Sequence, residues 1–387
     1  MSSEKTTTIT RRQRIFLVLA ITILLIAGIS AFTQTPLYRH LTATKLIYSQ
    51  SAAVNETWST YKAEHIEAGS NRTLDSHATN VTSSTSQANT MLRSVWIDDK
   101  KTFDASWKWS LHNDQLTNKL FASSYGPRAD GTYGYISTTT DSVADTNIAL
   151  SLLMAYSRWN DTKDLGDAEA IIGALYQTSV VTANGSPIMA STSVDTSASS
   201  IHTSPAVFNV AAYKEFAKVD PSHDWTSLAT NSYATMARLL ALNNNQLPSA
   251  ATIHIATGDI TMSEQNKVFN GDAATGVWNL GLDYTWNKDS RDLTLMKKLP
   301  LAAEYHSTGK ILAGSANESA ATYAKLLPYF KAIDPSAAPS VYDTKLLALY
   351  SQDDQAWATK LSLSDETWTW LSIEYYNGQL RQLTEQS

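Results

Sequence analysis

The chain has 387 residues, a net charge of −6 and no cysteine. Those figures exclude disulfide stapling, thiolate metal sites and Cys nucleophiles, and no basic block suggests nucleic-acid binding. With 43% hydrophobic residues the chain has material for a core that holds without cross-links.

In chain order, residues 1–14 read as a short cytoplasmic N-terminus carrying Lys5, Arg11, Arg12 and Arg14. Ile15 to Phe32 follows without a charge. At ~1.5 Å per residue such a run just spans a hydrocarbon core of ~30 Å. The preceding positive charges predict that it leaves the N-terminus inside and sends the rest across. The reading is a retained membrane anchor. The alternative is a cleaved signal peptide, for which Ser30-Ala31-Phe32 is a poor cleavage site. The expected location is the cell membrane with the C-terminal domain extracellular, or secretion if the segment is cleaved.

Residues 33–55 form a polar tether, and residues 56–387 a single domain. Within it apolar residues recur at helical spacing, most clearly over Ser142–Trp159, where Ile148, Ala149, Leu152, Leu153, Ala155 and Tyr156 share a face. Further helices are predicted near 56–67, 86–97, 101–113, 163–178, 206–218, 224–243, 272–286, 291–306, 317–332, 339–351 and 364–377. Loops rich in Ser, Thr, Asn and Gly fill 123–141 and 179–204, and strand signals are few, with 253–257 a possible hairpin arm. About twelve helices in one domain suggest six helical hairpins closed into a ring, and no repeat of fixed period favours a solenoid.

The eight His are scattered, and no HExxH, P-loop, GxGxxG or GxSxG pattern occurs, so no metal or cofactor is implied. Carboxylates at helix starts remain. Asp145 lies at the start of the clearest helix; Asp272 opens Gly271–Trp286, with Asp283 three turns on. Each suits a helix cap or first turn taken singly. Eleven Trp and eighteen Tyr are many for this length. They suit a core, and they also suit sugar faces. Trp96, Trp107, Trp109, Trp278, Tyr284 and Trp286 are candidate platforms; of Trp107 and Trp109, at i and i+2, only one is expected to face the core.

Taken in order, several blocks form a pattern: Trp58-Ser59-Thr60-Tyr61-Lys62, Asp75, Ser84–Met91 (STSQANTM), Phe103-Asp104, Trp107-Lys108-Trp109, Ser142–Trp159 and Gly271–Tyr284. Together they resemble glycoside hydrolase family 8, from Trp58 to the C-terminus. This is the endoglucanase, chitosanase and exopolysaccharide hydrolase type. The resemblance implies an all-α fold, an (α/α)6 barrel, and inverting hydrolysis of a β-linked polysaccharide. In that family one carboxylic acid protonates the leaving oxygen and a second carboxylate activates water. It implies Asp272 as general base, Thr85 at the position of the general acid, and Gln87, Asp145, Trp278 and Asp283 as substrate-binding positions.

The departures from the family's motifs are specific. Thr85 replaces the Glu of S-E-G-Q, and a hydroxyl is no proton donor at neutral pH. Val143 replaces the first Asp of D-G-D. Gly271 replaces a Tyr, and Thr275 and Asn279 replace two Arg. Loss of a general acid costs ~10²–10⁴ in rate. The displaced carboxylates considered for its place are Asp75, Asp98, Asp99 and Asp130. Two functions are therefore expected as rivals: a membrane-anchored glycosidase with an unidentified acid, and an inactive glycan-binding or polysaccharide-synthase-associated protein with the same cleft.

Overall fold

The computed structural model describes residues 52–76, 79–311 and 318–384. The apolar run 15–32 and the tether up to residue 51 lie outside these. Among the described residues no helix is long and apolar enough to cross a membrane. Residues 54–387 form one compact unit.

The chain runs as helical hairpins. Helix α1 (52–65) leads to α2 (Ser84–Trp96), α3 (Lys100–Asn113), α4 (Ser142–Trp159), α5 (Thr162–Ser179), α6 (Val210–Val219) and α7 (Trp225–Leu242). Then come α8 (Gly271–Asn287), α9 (Ser290–Met296), α10 (Leu301–Thr308), α11 (Ala320–Ile333), α12 (Ala338–Val341) and α13 (Leu363–Tyr376). Helices α2, α4, α6, α8, α11 and α13 pack side by side in that order, and the others lie outside them. This is the arrangement the six-hairpin expectation requires.

Sequence punctuation sets the boundaries. Side chains of Asp141, Asp161, Asp224 and Asp289 cap α4, α5, α7 and α9 by accepting first-turn N–H groups. The single helix expected over 291–306 is two, because Pro300 removes a donor and disfavours helical backbone at Leu299. Loops 123–141 and 179–204 contain strands. Strand β1 (Thr82–Ser83) pairs with β2 (Ser124–Pro127), which pairs with β3 (Tyr133–Ser137). Strands β4 (Val180–Ala183) and β5 (Ser186–Met189) form a hairpin, and β6 (Ser200–Thr203) pairs with β7 (Ala251–His254), then β8 (Ile260–Thr261). The β4–β5 turn is Asn184-Gly185 with φ of 47° and 80°, the left-handed pair that a two-residue hairpin demands.

The core is continuous around the ring. Closure between α2 and α13 centres on Arg93, whose fully buried guanidinium lies 3.9 Å over the Tyr61 ring and 4.9 Å from Trp58 and Trp370. Glu366 supplies the counter-charge at 4.0 Å. Two close approaches fix α8. A Cβ on Gly276 would meet Pro205 Cβ at 2.5 Å, and one on Gly281 would meet Pro328 Cβ at 2.3 Å.

Candidate active site

The inner helices bring their N-termini to one end of the ring. Asp365, in the first turn of α13, accepts from Ala321 N–H at the start of α11 (2.8 Å), and Lys325 Nζ on α11 donates to the Gly271 carbonyl that begins α8 (3.1 Å). Thr85 in α2 donates to Asp141 Oδ2 at the start of α4 (2.9 Å).

Each side chain at this end is placed by local capping. Ser83 and Ser86 form a reciprocal capping box, and Asp75 Oδ1 accepts from the Ser83 hydroxyl (2.9 Å), which sets Thr85 in the first turn of α2. Asp141 Oδ1 accepts from Val143 N–H at 2.9 Å. Asn270 Oδ1 accepts from Asp272 N–H (2.9 Å) and Ala273 N–H (3.1 Å), so the Asp272 carboxyl is left to project from the first turn of α8.

Asp272 is exposed at its tip, yet the protein around it displaces enough water to raise its proton affinity above that of an ordinary carboxyl. Lys325 opposes that shift, and the charge of Asp141 adds to it. Lys325 itself is pushed down to about 8 by burial, with Asp272 and Asp365 pulling the other way. Its ammonium lies 4.6 Å over the half-buried Trp368 ring and would be 3.7 Å from a Cβ at residue 271.

Beneath this mouth lies a cavity of about 30 Å³, room for one water, lined by Asn89, Val143, Asn147, Thr275, Trp278 and Asn279 among others. No lining side chain is charged. The positions where the resemblance expects an Asp and two Arg therefore do converge, and they converge as a neutral wall.

The remaining sequence-predicted residues lie elsewhere. Gln87 is fully buried; its Oε1 accepts from Thr73 N–H (2.7 Å), and its Nε2 donates to the Ser106 carbonyl (3.1 Å) and hydroxyl (2.9 Å). Asp145 is fully buried, with Oδ1 accepting from Phe121 N–H (3.0 Å). Burial raises its proton affinity well above the usual range, against that bond, and the charges of Asp141 and Asp114 add to the rise. Asp283 is also fully buried, roughly 16 Å along α8 from Asp272, where Lys214 Nζ donates to both its oxygens (3.0 and 2.8 Å). The structure does not bring Gln87, Asp145 or Asp283 into the mouth beside Asp272.

The four displaced carboxylates do not fill the acid position. Asp75 braces Ser83, Asp98 pairs with Arg158 (3.0 Å), Asp99 caps α3 and pairs with Lys62 (2.7 Å), and Asp130 turns the β2–β3 hairpin. The aromatic platforms are also corrected. Trp96, Trp107, Trp109 and Trp278 are buried, and both members of the Trp107/Trp109 pair are covered. Tyr125 on β2 caps Trp109 edge-on at 5.3 Å. Tyr284 and Trp286 are half-buried in the last turn of α8, away from Asp272.

Three site residues were missed. Asp141 stands directly before the Ser142–Trp159 helix, where an N-cap signal was legible. Lys325 is a cation amid the apolar residues of helix α11, a sign that it needs a buried partner. Trp368, which packs on Trp278 with ring centroids 5.3 Å apart, gave no separate signal. Among the described residues one cluster has the spacing to hold a metal ion: Glu64, His65 and Glu366, whose ligand atoms lie within 4.8 Å of one another. There His65 Nε2 already sits 3.2 Å from Glu366 Oε2, with Arg93 on the other side, so the group closes as an ion-pair network.

Comparison with known proteins fits this geometry. A curated endoglucanase of Cellulomonas uda is 27% identical over 212 residues, covering 54% of this chain and 58% of that protein. The chain thus spans little more than half the length of that relative. An endo-1,4-D-glucanase structure from Vibrio fischeri ES114 superposes with a TM-score of 0.71 at 17% identity, covering 83% of this chain and 94% of the other. A β-1,3-1,4-glucanase from Paenibacillus sp. X4 gives 0.72 at 16% identity, covering 85% and 93%. A family 8 xylobiose complex from Teredinibacter turnerae gives 0.67 at 17% identity, covering 87% and 95%. These likenesses support the fold. The sequence profile of glycosyl hydrolases family 8 matches residues 33–335, most of the chain, and the protein belongs to that family.

Proposed function

We propose that the protein hydrolyses a β-linked, glucan-type polysaccharide with inversion, Asp272 acting as general base. The observation that carries this reading is Asp272 itself: a carboxyl held at a helix N-terminus, open to water at its tip, with Lys325 beside it. In the reaction, a water gives a proton to the Asp272 carboxylate as its oxygen bonds to the anomeric carbon. The glycosidic C–O bond breaks, and the departing oxygen takes a proton from the opposite side. The test is release of reducing ends from soluble mixed-linkage β-glucan, carboxymethyl-cellulose, xylan and chitosan by purified residues 33–387. No release from any of them sinks the hydrolase reading.

The uncharged residues Val143, Thr275 and Asn279, where the family's motifs carry an Asp and two Arg, favour a second reading, a surface at this end of the ring that grips a glycan without cutting it. Calorimetry with cello-oligosaccharides at millimolar concentration tests it: binding without turnover supports it, and no heat counts against it. T85E separates the two further, because turnover that appears only in that variant identifies a disarmed enzyme. We also propose that residues 15–32 anchor the chain, keeping the cleft outside the cytoplasm where a polysaccharide synthase extrudes its product. Recovery of the full chain in the soluble fraction would refute the anchor. A membrane pull-down lacking any synthase component would refute the partnership.

A further inference from the structure

Thr85 leaves the departing oxygen without a proton donor at the family's acid position. A Thr side chain is also shorter than Glu, so the change opens space at the first turn of α2. The structure fills that space from the next inner helix: the Thr85 hydroxyl donates to Asp141 Oδ2 at 2.9 Å.

We propose that Asp141 is the proton donor to the leaving group, a carboxyl transferred from α2 to the N-cap of α4 and presented by Thr85; this rests on the hydrolase reading above. The orientation is fixed. Oδ1 is committed to the N–H groups of Val143 (2.9 Å) and Ala144 (3.4 Å), so Oδ2 is the edge available to carry a proton. The Thr85 hydroxyl holds that edge. The helices involved are neighbours in the ring, and their N-termini open on the same mouth as α8, which carries Asp272.

The step balances. Protonated Asp141 passes its Oδ2 proton to the glycosidic oxygen as that oxygen leaves the anomeric carbon with the bonding electron pair. Asp272 takes a proton from the water whose oxygen forms the new bond. The cycle ends with Asp141 ionised and Asp272 protonated, and exchange with solvent restores both.

The test compares two substrates. Mixed-linkage β-glucan needs its leaving oxygen protonated; β-cellobiosyl fluoride does not, because fluoride departs as the anion. D141N keeps a helix cap, since Asn and Asp are equivalent there, so the variant should fold, with thermal melting as the check. D141N should lose ~10²–10⁴ of the glucan rate and keep the wild-type rate on the fluoride. D272N should lose activity on both. Wild-type glucan turnover in D141N would overturn the donor role. A wild type that cleaves the fluoride but not the glucan would overturn it too, while leaving the base intact. A wild type inert to both would overturn the hydrolase reading and the donor with it.

Discussion

Lys325 and Asp272 form a pair in which each alters the other. Burial costs the ammonium group its hydration and pushes it down to about 8, while the same ammonium holds Asp272 below the value that crowding alone would give. Activity that needs ionised Asp272 is lost as pH falls through its raised pKa, so the acid limb of the pH profile should lie at higher pH than for an unperturbed aspartate. K325M removes the opposing charge and should move that limb to higher pH. A limb that stays in place would show that Lys325 does not act on Asp272. Asp114 gives a stability test. Burial raises its pKa to about 8, above the unfolded value, so the stability it leaves the fold is complete at acid pH and is lost as pH rises toward 8. D114N should therefore raise the melting temperature at pH 8 more than at pH 5, a difference read directly by calorimetry. At this scale the motifs set Thr85 and Asp272 at helix starts, and the structure has both in first turns. The sequence was silent where partners come from distant segments. Gln87 sits inside a family motif, but its amide is consumed by Thr73 and Ser106, and only the fold shows that.

Helix α8 shows how an element positions the site. Its first turn carries Asp272, its last turns are tied down by Lys214 on Asp283 and by Trp286 Nε1 on the Leu380 carbonyl (3.0 Å), and its middle fits against Pro205 and Pro328 through two glycines. G281A would put a methyl group 2.3 Å from Pro328 Cβ and force α8 and α11 apart. The expected cost is ~1–3 kcal/mol of stability, read as a lowered denaturant midpoint. Because Lys325 lies on α11, the pH limb of G281A should shift as well. Unchanged stability would mean that this contact relaxes freely. Helices were legible because the apolar period persists over many residues, and their caps are written in Asp, Ser and Asn. The hairpins in 123–141 and 179–204 were read as loops because strands of four or five residues carry few alternations, although Asn184-Gly185 marked one turn. Trp107 and Trp109 were split between core and surface on spacing alone, and the β2 strand that covers Trp109 lay in one of those loops.

Across the molecule, the ring gathers helix N-termini from segments spread over the chain, and Arg93 between α2 and α13 helps close it. The charged groups at that mouth include Asp141, Asp272, Lys325 and Asp365, supplied by α4, α8, α11 and α13. We propose that this mouth is a hydrolytic site built on Asp272. The most direct measurement is the initial rate of reducing-end release from soluble mixed-linkage β-glucan by residues 33–387, wild type against D272N. Measurable release by the wild type and a fall of ~10²–10⁴ in D272N at unchanged thermal stability are expected. Wild-type protein that releases nothing, or D272N that matches it, would show that Asp272 is not the base of a hydrolytic site.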